Sequence, residues 1–493
     1  MNIARGTDVT PLVLPRIMIW AVLAGVLTFT GADPDLWGHV RFGLDIIRDH
    51  GIPSVDPYSF TSDRTWLNHE WLAEVFMAGA FAAAGSVGLS LLKVSLLLAG
   101  FTLIARELTY RGLPPMVRDV LVAACIAGCL ALTQTLRPQT FSLPLFAALL
   151  IALRRVDEGK THLAWGIPPL LLVWANLHGG WLVGAGVAGL WIAARLVAPR
   201  GISRRAWTLL GVTSVLATLG TPYGAGLWRF LWETVGLGRA DIGEWQPLTG
   251  LAFVDSLPWV TATAVAVIGF SRRRPIDFAH VAVVVLLMLV SFKVMRVVPF
   301  YAVAAVLLAG PGVMRDSSAA RKPAMQPTPA EIVVVVVLAL AFVAASVVIG
   351  YRNANCISLT GEWVADQQAA RFIRSAGLSG RMLTWFNWGE YAIWFLAPDI
   401  RVSMDGRRET VYSDRMIRQH LAVYWGWPGW QEEFRRLDPD HVWLPVEFPT
   451  VGEMQTLGWR EVFRTERSVV LSRTAVALPS MMQNAGSNCF PGP

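Results

Sequence analysis

Apolar runs of near-membrane length alternate with short polar breaks through most of the chain. They fall near 12–30, 88–107, 117–135, 139–154, 163–177, 179–197, 206–220, 257–271, 277–292, 296–313 and 331–350. A helix needs about 20 residues to cross the hydrocarbon core, so the pattern predicts about eleven transmembrane helices. The first is expected to be retained, because no small-residue cleavage site follows it. Two regions break the pattern. In 31–87, "DLWGHVRFGLDIIRDHG" repeats Leu36, Val40, Leu44 and Ile47 at helical spacing until Gly51 and Pro53, and "NHEWLAEVFMAGAFAAAG" is too polar at its start to span. Both predict helices lying on the membrane surface. Beyond 351, strand signals ("RMLTWF", "IRVSMDG", "HVWLPV") alternate with helix signals ("GEYAIWFLA") and predict a small α/β domain over 351–493. Between these regions, "MRDSSAARKPAMQPTPAE" (314–331) reads as a linker.

Charge orients the helices. Arginines and lysines gather in alternate breaks: Arg5 and Arg16; Arg106, Arg111 and Arg118; Arg154, Arg155 and Lys160; Arg195, Arg200, Arg204 and Arg205; Arg272 to Arg274; Arg315, Arg321 and Lys322. The positive-inside rule puts these breaks in the cytoplasm. The N-terminus is then cytoplasmic, and an odd helix count makes the C-terminal domain extracytoplasmic. The opposite breaks, predicted to be external, carry the chemistry-bearing residues: 31–87, "LRPQT" (136–140), "NLHGG" (176–180), the segment 221–247 and "KVMR" (293–296).

Composition agrees with a polytopic membrane protein: 54% of residues are hydrophobic and 16% charged, a balance too apolar for a soluble globular chain. A net charge of +7 raises the question of nucleic acid, but the basic residues are scattered between apolar runs, where lipid topology accounts for them. The 22 tryptophans are read as interfacial rings that also stack on sugars. Cys125 and Cys129 read as small packed residues of an apolar run. Cys356 and Cys489 bracket the C-terminal region and are able to pair if it is extracytoplasmic.

The motifs "DPDLWGH", "DPYSFT", "NHEW", "LRPQTFS", "NLHGG" and "FNWGEYAIW…VSMDGR", in this layout, resemble a bacterial branch of the C-type (GT-C) glycosyltransferases, the superfamily of oligosaccharyltransferases, protein O-mannosyltransferases and lipid A aminoarabinose transferases. The resemblance implies a GT-C-like membrane domain over 1–350, with a catalytic first external loop, in a bacterial inner membrane. It implies transfer of a sugar from a polyprenyl-phosphate donor to a lipid, glycan or protein acceptor at the extracytoplasmic face, with membrane lipid as a partner.

That chemistry needs a base for the acceptor hydroxyl and cations for the lipid phosphate. Asp33 is the first candidate for the base and Asp35 the second; the alternative for either is an N-cap of the helix that follows. His39 shares a helix face with Asp35, and the two are the candidate ligands for a divalent ion (Mg, Mn or Zn), which some family members use and others do not. His69 and Glu70 form a second His–carboxylate pair. Together with His39, Asp56 and His178 they are candidate substrate-binding residues, and Glu244 is a further acid. Arg137, Lys293 and Arg296 are the phosphate-binding candidates, because a guanidinium offers paired donors to phosphate oxygens. Two competing functions stay open: a transporter or flippase for a lipid-linked glycan, which would place ionisable residues inside the spans, and a non-catalytic polyprenyl-lipid-binding envelope protein.

Overall fold

The computed structural model describes residues 10–234, 236, 239, 242–250, 252–272, 275–314, 328–361, 363–476 and 487–492. Arg5, Arg273, Arg274, Arg315, Arg321, Lys322 and most of the expected linker lie outside them. The chain divides into two compact units, Met1–Thr30, Ser90–Gln134 and Pro138–Asn355 in the first, Gly31–Leu89, Thr135–Arg137 and Cys356–Pro493 in the second.

The first unit is helical. Each of the eleven apolar runs forms helix, but not all are long. Among the described residues, five helices are long and apolar enough to cross a membrane: Trp71–Tyr110, Pro138–Asp157, Phe253–Arg272, Met295–Gly312 and Val333–Asn355. Arg16–Thr28, Trp181–Val197 and Phe278–Lys293 are shorter apolar helices. The run 117–135 is broken at Cys129 into Pro115–Gly128 and Leu130–Gln134. The run 163–177 gives only Ile167–Leu177 after a 3-10 turn, its first turn holding Pro168 and Pro169, which lack the N–H a continuing helix would use. The Trp71–Tyr110 helix is itself interrupted where Ala84 and Gly85 leave helical geometry. Gly85 takes φ 57° and ψ −139°, a region open in practice only to glycine, so two helices meet at a kink there.

Tryptophan behaves differently from the expectation. Within this unit Trp174, Trp181, Trp191 and Trp207 are fully buried, and Phe146, Trp174 and Phe300 pack ring to ring. Here the indoles fill helix–helix contacts rather than marking an interface, because a large rigid ring is an effective core filler. The arginine clusters are also less free than a topology count implies. Glu107 takes Arg111 at 2.6 Å and Arg155 at 2.5 Å, Arg16 pairs with Asp119 at 2.6 Å, and Arg195 lies between Asp157 and Asp277 at 2.5 and 2.8 Å.

The second unit holds a five-stranded sheet of order β2-β1-β3-β5-β4: β1 (Gly380–Thr384), β2 (Ile400–Val402), β3 (His441–Pro445), β4 (Arg460–Arg464) and β5 (Ser468–Ser472). β1 runs parallel to β2 and β3, and the β4–β5 hairpin adds antiparallel to β3. β3 and β5 are buried along their whole length, as continuously apolar central strands should be. The Phe386–Leu396 helix crosses from β1 to β2, and Leu383, Val423, Tyr424, Phe434, Val442, Leu444, Val469 and Leu471 build the core.

The sequence reading ended the membrane domain at 350 and kept 31–87 with it; the structure builds that segment into the same unit as residues 356–492. The cause is backbone pairing that composition does not reveal. Phe60 N donates to Val402 O at 3.1 Å and Val402 N to Tyr58 O at 3.0 Å, so residues 58–60 extend the sheet along the edge of β2. Trp37 Nε1 donates to Pro491 O at 2.8 Å. Cys356 and Cys489 are bridged, their Cα atoms 5.0 Å apart.

Candidate functional site

The Asp-Pro-Asp step that opens the second unit is locally determined. Asp33 Oδ1 accepts from Asp35 N at 2.9 Å, the side-chain-to-backbone turn that Asp favours, and the Leu36–Asp49 helix starts directly after it. Asp33 is 2% exposed. Residue Gly31 bridges to Thr135, which brings in Arg137, and its Nε and Nη2 both pair with Asp33 Oδ2. Two of the expected site residues are thus joined as an ion pair. Asp35 is different: it is half-buried and occupies the cap position, but with helical φ −85° and ψ −6° and no side-chain capping bond. Its carboxylate is not explained as a helix cap.

One turn on, His39 is buried with Nδ1 3.3 Å from Glu74 Oε1, while Asn68 Nδ2 donates to Glu74 Oε2 at 2.5 Å. Burial opposes a charge on His39. The Glu74 bond and the carboxylates of Glu70, Glu74 and Asp35 outweigh it and push the imidazole up to about 9. A divalent ion held by Asp35 and His39 would have to displace that proton from the ring, and no step is routed through one. His69 lies 3.7 Å from Glu70, both about one-fifth exposed. The sequence analysis does not single out Glu74; its spacing one turn beyond Glu70 is the available signal.

Asp56 enters a closed network. Arg407 donates to both its oxygens at 2.7 and 3.0 Å and to Asp405 at 2.6 and 2.9 Å. Tyr412 Oη donates to Asp405 at 2.9 Å, the amides of Tyr58 and Ser59 donate to Asp56, and the guanidinium lies over the Phe42 and Trp66 rings at 4.9 and 4.6 Å. Each carboxylate is met by charge and by hydrogen bonds, and Asp56 is tied into this network.

The residue that sequence reasoning overlooked is Glu390, from "FNWGEYAIW". It is 2% exposed, and its Oε2 has no hydrogen-bond partner. A Cβ on Gly38 would lie 2.0 Å from that oxygen. One on Gly406 would lie 2.1 Å from Asp35 Oδ1 and 3.0 Å from Glu390 Oε1. With glycine at both positions the two carboxyls pack directly against backbone.

The remaining candidates belong to the first unit. His178 Nδ1 accepts from Gly180 N at 3.0 Å and lies 2.8 Å from Ser142 Oγ, so this nitrogen is the acceptor of the ring. Glu244 and Arg296 pair at 3.6 Å, each about one-third exposed. Lys293 is exposed at the end of its helix. Among the described residues, the one group spaced for a metal is Asp157, Asp277 and His280, and there the Arg195 guanidinium already lies between the two acids. Lys93, absent from the expectations, is 0% exposed and donates to the carbonyls of Phe29 and Thr133, the latter at 2.8 Å.

No protein-family profile matches the chain, and no curated protein matches it. Solved structures do. ArnT from Cupriavidus metallidurans, in the apo state, is 12% identical over 95% of this chain and 99% of its own, with a TM-score of 0.52. The mycobacterial arabinofuranosyltransferase AftD is 13% identical over 95% of this chain at a TM-score of 0.49, and the chain spans 42% of its length. The likeness to ArnT carries the fold: the chain has the GT-C glycosyltransferase fold.

Proposed function

We propose that this protein is a membrane glycosyltransferase that moves a sugar from a polyprenyl-phosphate carrier to an acceptor hydroxyl at the extracytoplasmic face. The observation that carries the reading is the half-buried, uncapped Asp35 carboxylate, at the head of the segment that follows the first apolar run in a GT-C fold. Asp35 takes the hydroxyl proton, and the acceptor oxygen forms its bond to the anomeric carbon. The bond from that carbon to the phosphate oxygen breaks, and its electron pair leaves on the phosphate. Asp33, buried and paired with Arg137, positions the turn that presents Asp35, so the order of preference drawn from sequence is reversed.

The disulfide Cys356–Cys489 supports an extracytoplasmic second unit, since such bonds persist in oxidising compartments. Arg296 and Lys293 remain the proposed donors to the carrier phosphate. Arg296→Ala is expected to weaken carrier binding by about 10- to 150-fold, the worth of a charged hydrogen bond of about 1.5–3 kcal/mol; unchanged affinity for the lipid phosphate removes it from that role. The buried Lys93 does not favour a transporter, because it closes helix-end carbonyls rather than standing as a free charge. Incubation of the purified protein with a panel of radiolabelled polyprenyl-phosphate sugars and membrane extract tests the reading: transfer of label to an extract component is expected, and failure with every donor contradicts it.

A further inference from the structure

Glu390 is buried inside a protein unit without the partner a buried carboxylate requires. Its Oε2 is seated against Gly38, its Oε1 shares the space over Gly406 with Asp35 Oδ1, and Oε2 accepts or donates no hydrogen bond among the described residues. A side chain at either glycine would displace a carboxyl, so in this structure the two carboxyls lie against backbone on both sides. An uncompensated buried charge is costly, and two carboxylates sharing a site avoid the cost by keeping a proton.

We propose that Glu390 is a positioning residue of the transfer reaction: it and Asp35 form a carboxyl pair that carries a single proton, resident on Glu390, which keeps Asp35 as the one anion of the pair. The proposal rests on the glycosyltransferase reading for its use, but the pair itself is a property of the fold.

The surrounding charges agree. Burial, then Asp35 and Asp405, push the Glu390 carboxyl well up, Arg407 works against them, and Glu74 adds to the rise. Arg407 is committed to Asp56 and Asp405, and His39 to Glu74. From the Gln367–Ser375 helix, the nearest charges, Arg371 and the capping Asp366, act on Tyr391. Glu390 is therefore neutral while pH stays below its raised titration. As pH rises through it, a second negative charge appears beside Asp35 and opposes the anionic donor, so transfer falls on the alkaline side.

Infrared spectroscopy of the purified full chain reads the pair without any assay of transfer. A protonated carboxylic-acid C=O band is expected at neutral pH, lost in Glu390→Gln. In Asp35→Asn the band should titrate away at lower pH than in the parent, because a neighbouring charge that holds the proton has gone. Absence of the band, or a midpoint indifferent to Asp35→Asn, overturns the proposal. The pH profile of transfer tests its use: Glu390→Gln should lose the alkaline fall, and an unaltered fall, or loss of transfer at every pH, contradicts the positioning role. If no donor is transferred by the parent protein, the glycosyltransferase reading fails while the infrared result still decides the pair.

Discussion

The second unit contains two acid clusters that differ in how their carboxyls are hydrogen-bonded. Around Arg407, the carboxylates of Asp56 and Asp405 are met by one guanidinium, a tyrosine hydroxyl and backbone amides. Around Gly406, Asp35 and Glu390 are seated together, and Glu390 Oε2 has no hydrogen-bond partner among the described residues. A closed network fixes a fold, whereas a buried carboxyl oxygen without a hydrogen bond retains a proton affinity that chemistry can use. Both clusters join residues 31–89 to the C-terminal region. Burial and acidity alone do not separate the two clusters; the hydrogen bonds that each carboxyl makes do.

The comparison breaks most visibly at Arg407. Arg407→Ala leaves Asp56 and Asp405 buried without their counter-charge, and a loss of about 3–5 kcal/mol is expected. The thermal unfolding of purified protein in detergent should shift sharply downward. A near-parental midpoint would make this network no more structural than the Asp35–Glu390 pair.

The His39–Glu74 pair sharpens the contrast through pH. His39 titrates at about 9 in the fold against 6.5 for the free ring. Its contribution to stability is fully present below 6.5 and is lost as pH rises through about 9. With a charged hydrogen bond worth about 1.5–3 kcal/mol, stability should decline across that window, and in Glu74→Gln the decline should be smaller. An equal decline in both would detach His39 from Glu74.

What the sequence made legible was local. The apolar runs are helices, and Asp33, Asp35 and His39 fall at one helix start because they are within seven positions of one another. Residues joined across the chain were not legible: Arg137 meets Asp33 104 residues away, and Arg407 meets Asp56 351 residues away. Nothing in the sequence marks these pairings, because an unpaired charge and a paired one look alike there. Glu390 was invisible for the same reason; its significance is the absence of a partner, which only packing reveals. Helix length was lost where Pro168, Pro169 and Cys129 divide runs that hydropathy alone joins.

The central claim is that Asp35 is the group that takes the acceptor proton and Asp33 the group that holds it in place. The most direct test is transfer from the donor identified in the radiolabel panel, measured for Asp35→Asn and Asp33→Asn side by side with carrier binding as a control. Asp35→Asn should lower turnover by about 10²–10⁴ while carrier binding persists, since an amide keeps the shape but cannot accept the proton. Asp33→Asn, which keeps the turn but weakens the Arg137 pair, should cost less. Full turnover in Asp35→Asn, with loss confined to Asp33→Asn, would contradict the account and return the base to the buried, ion-paired residue.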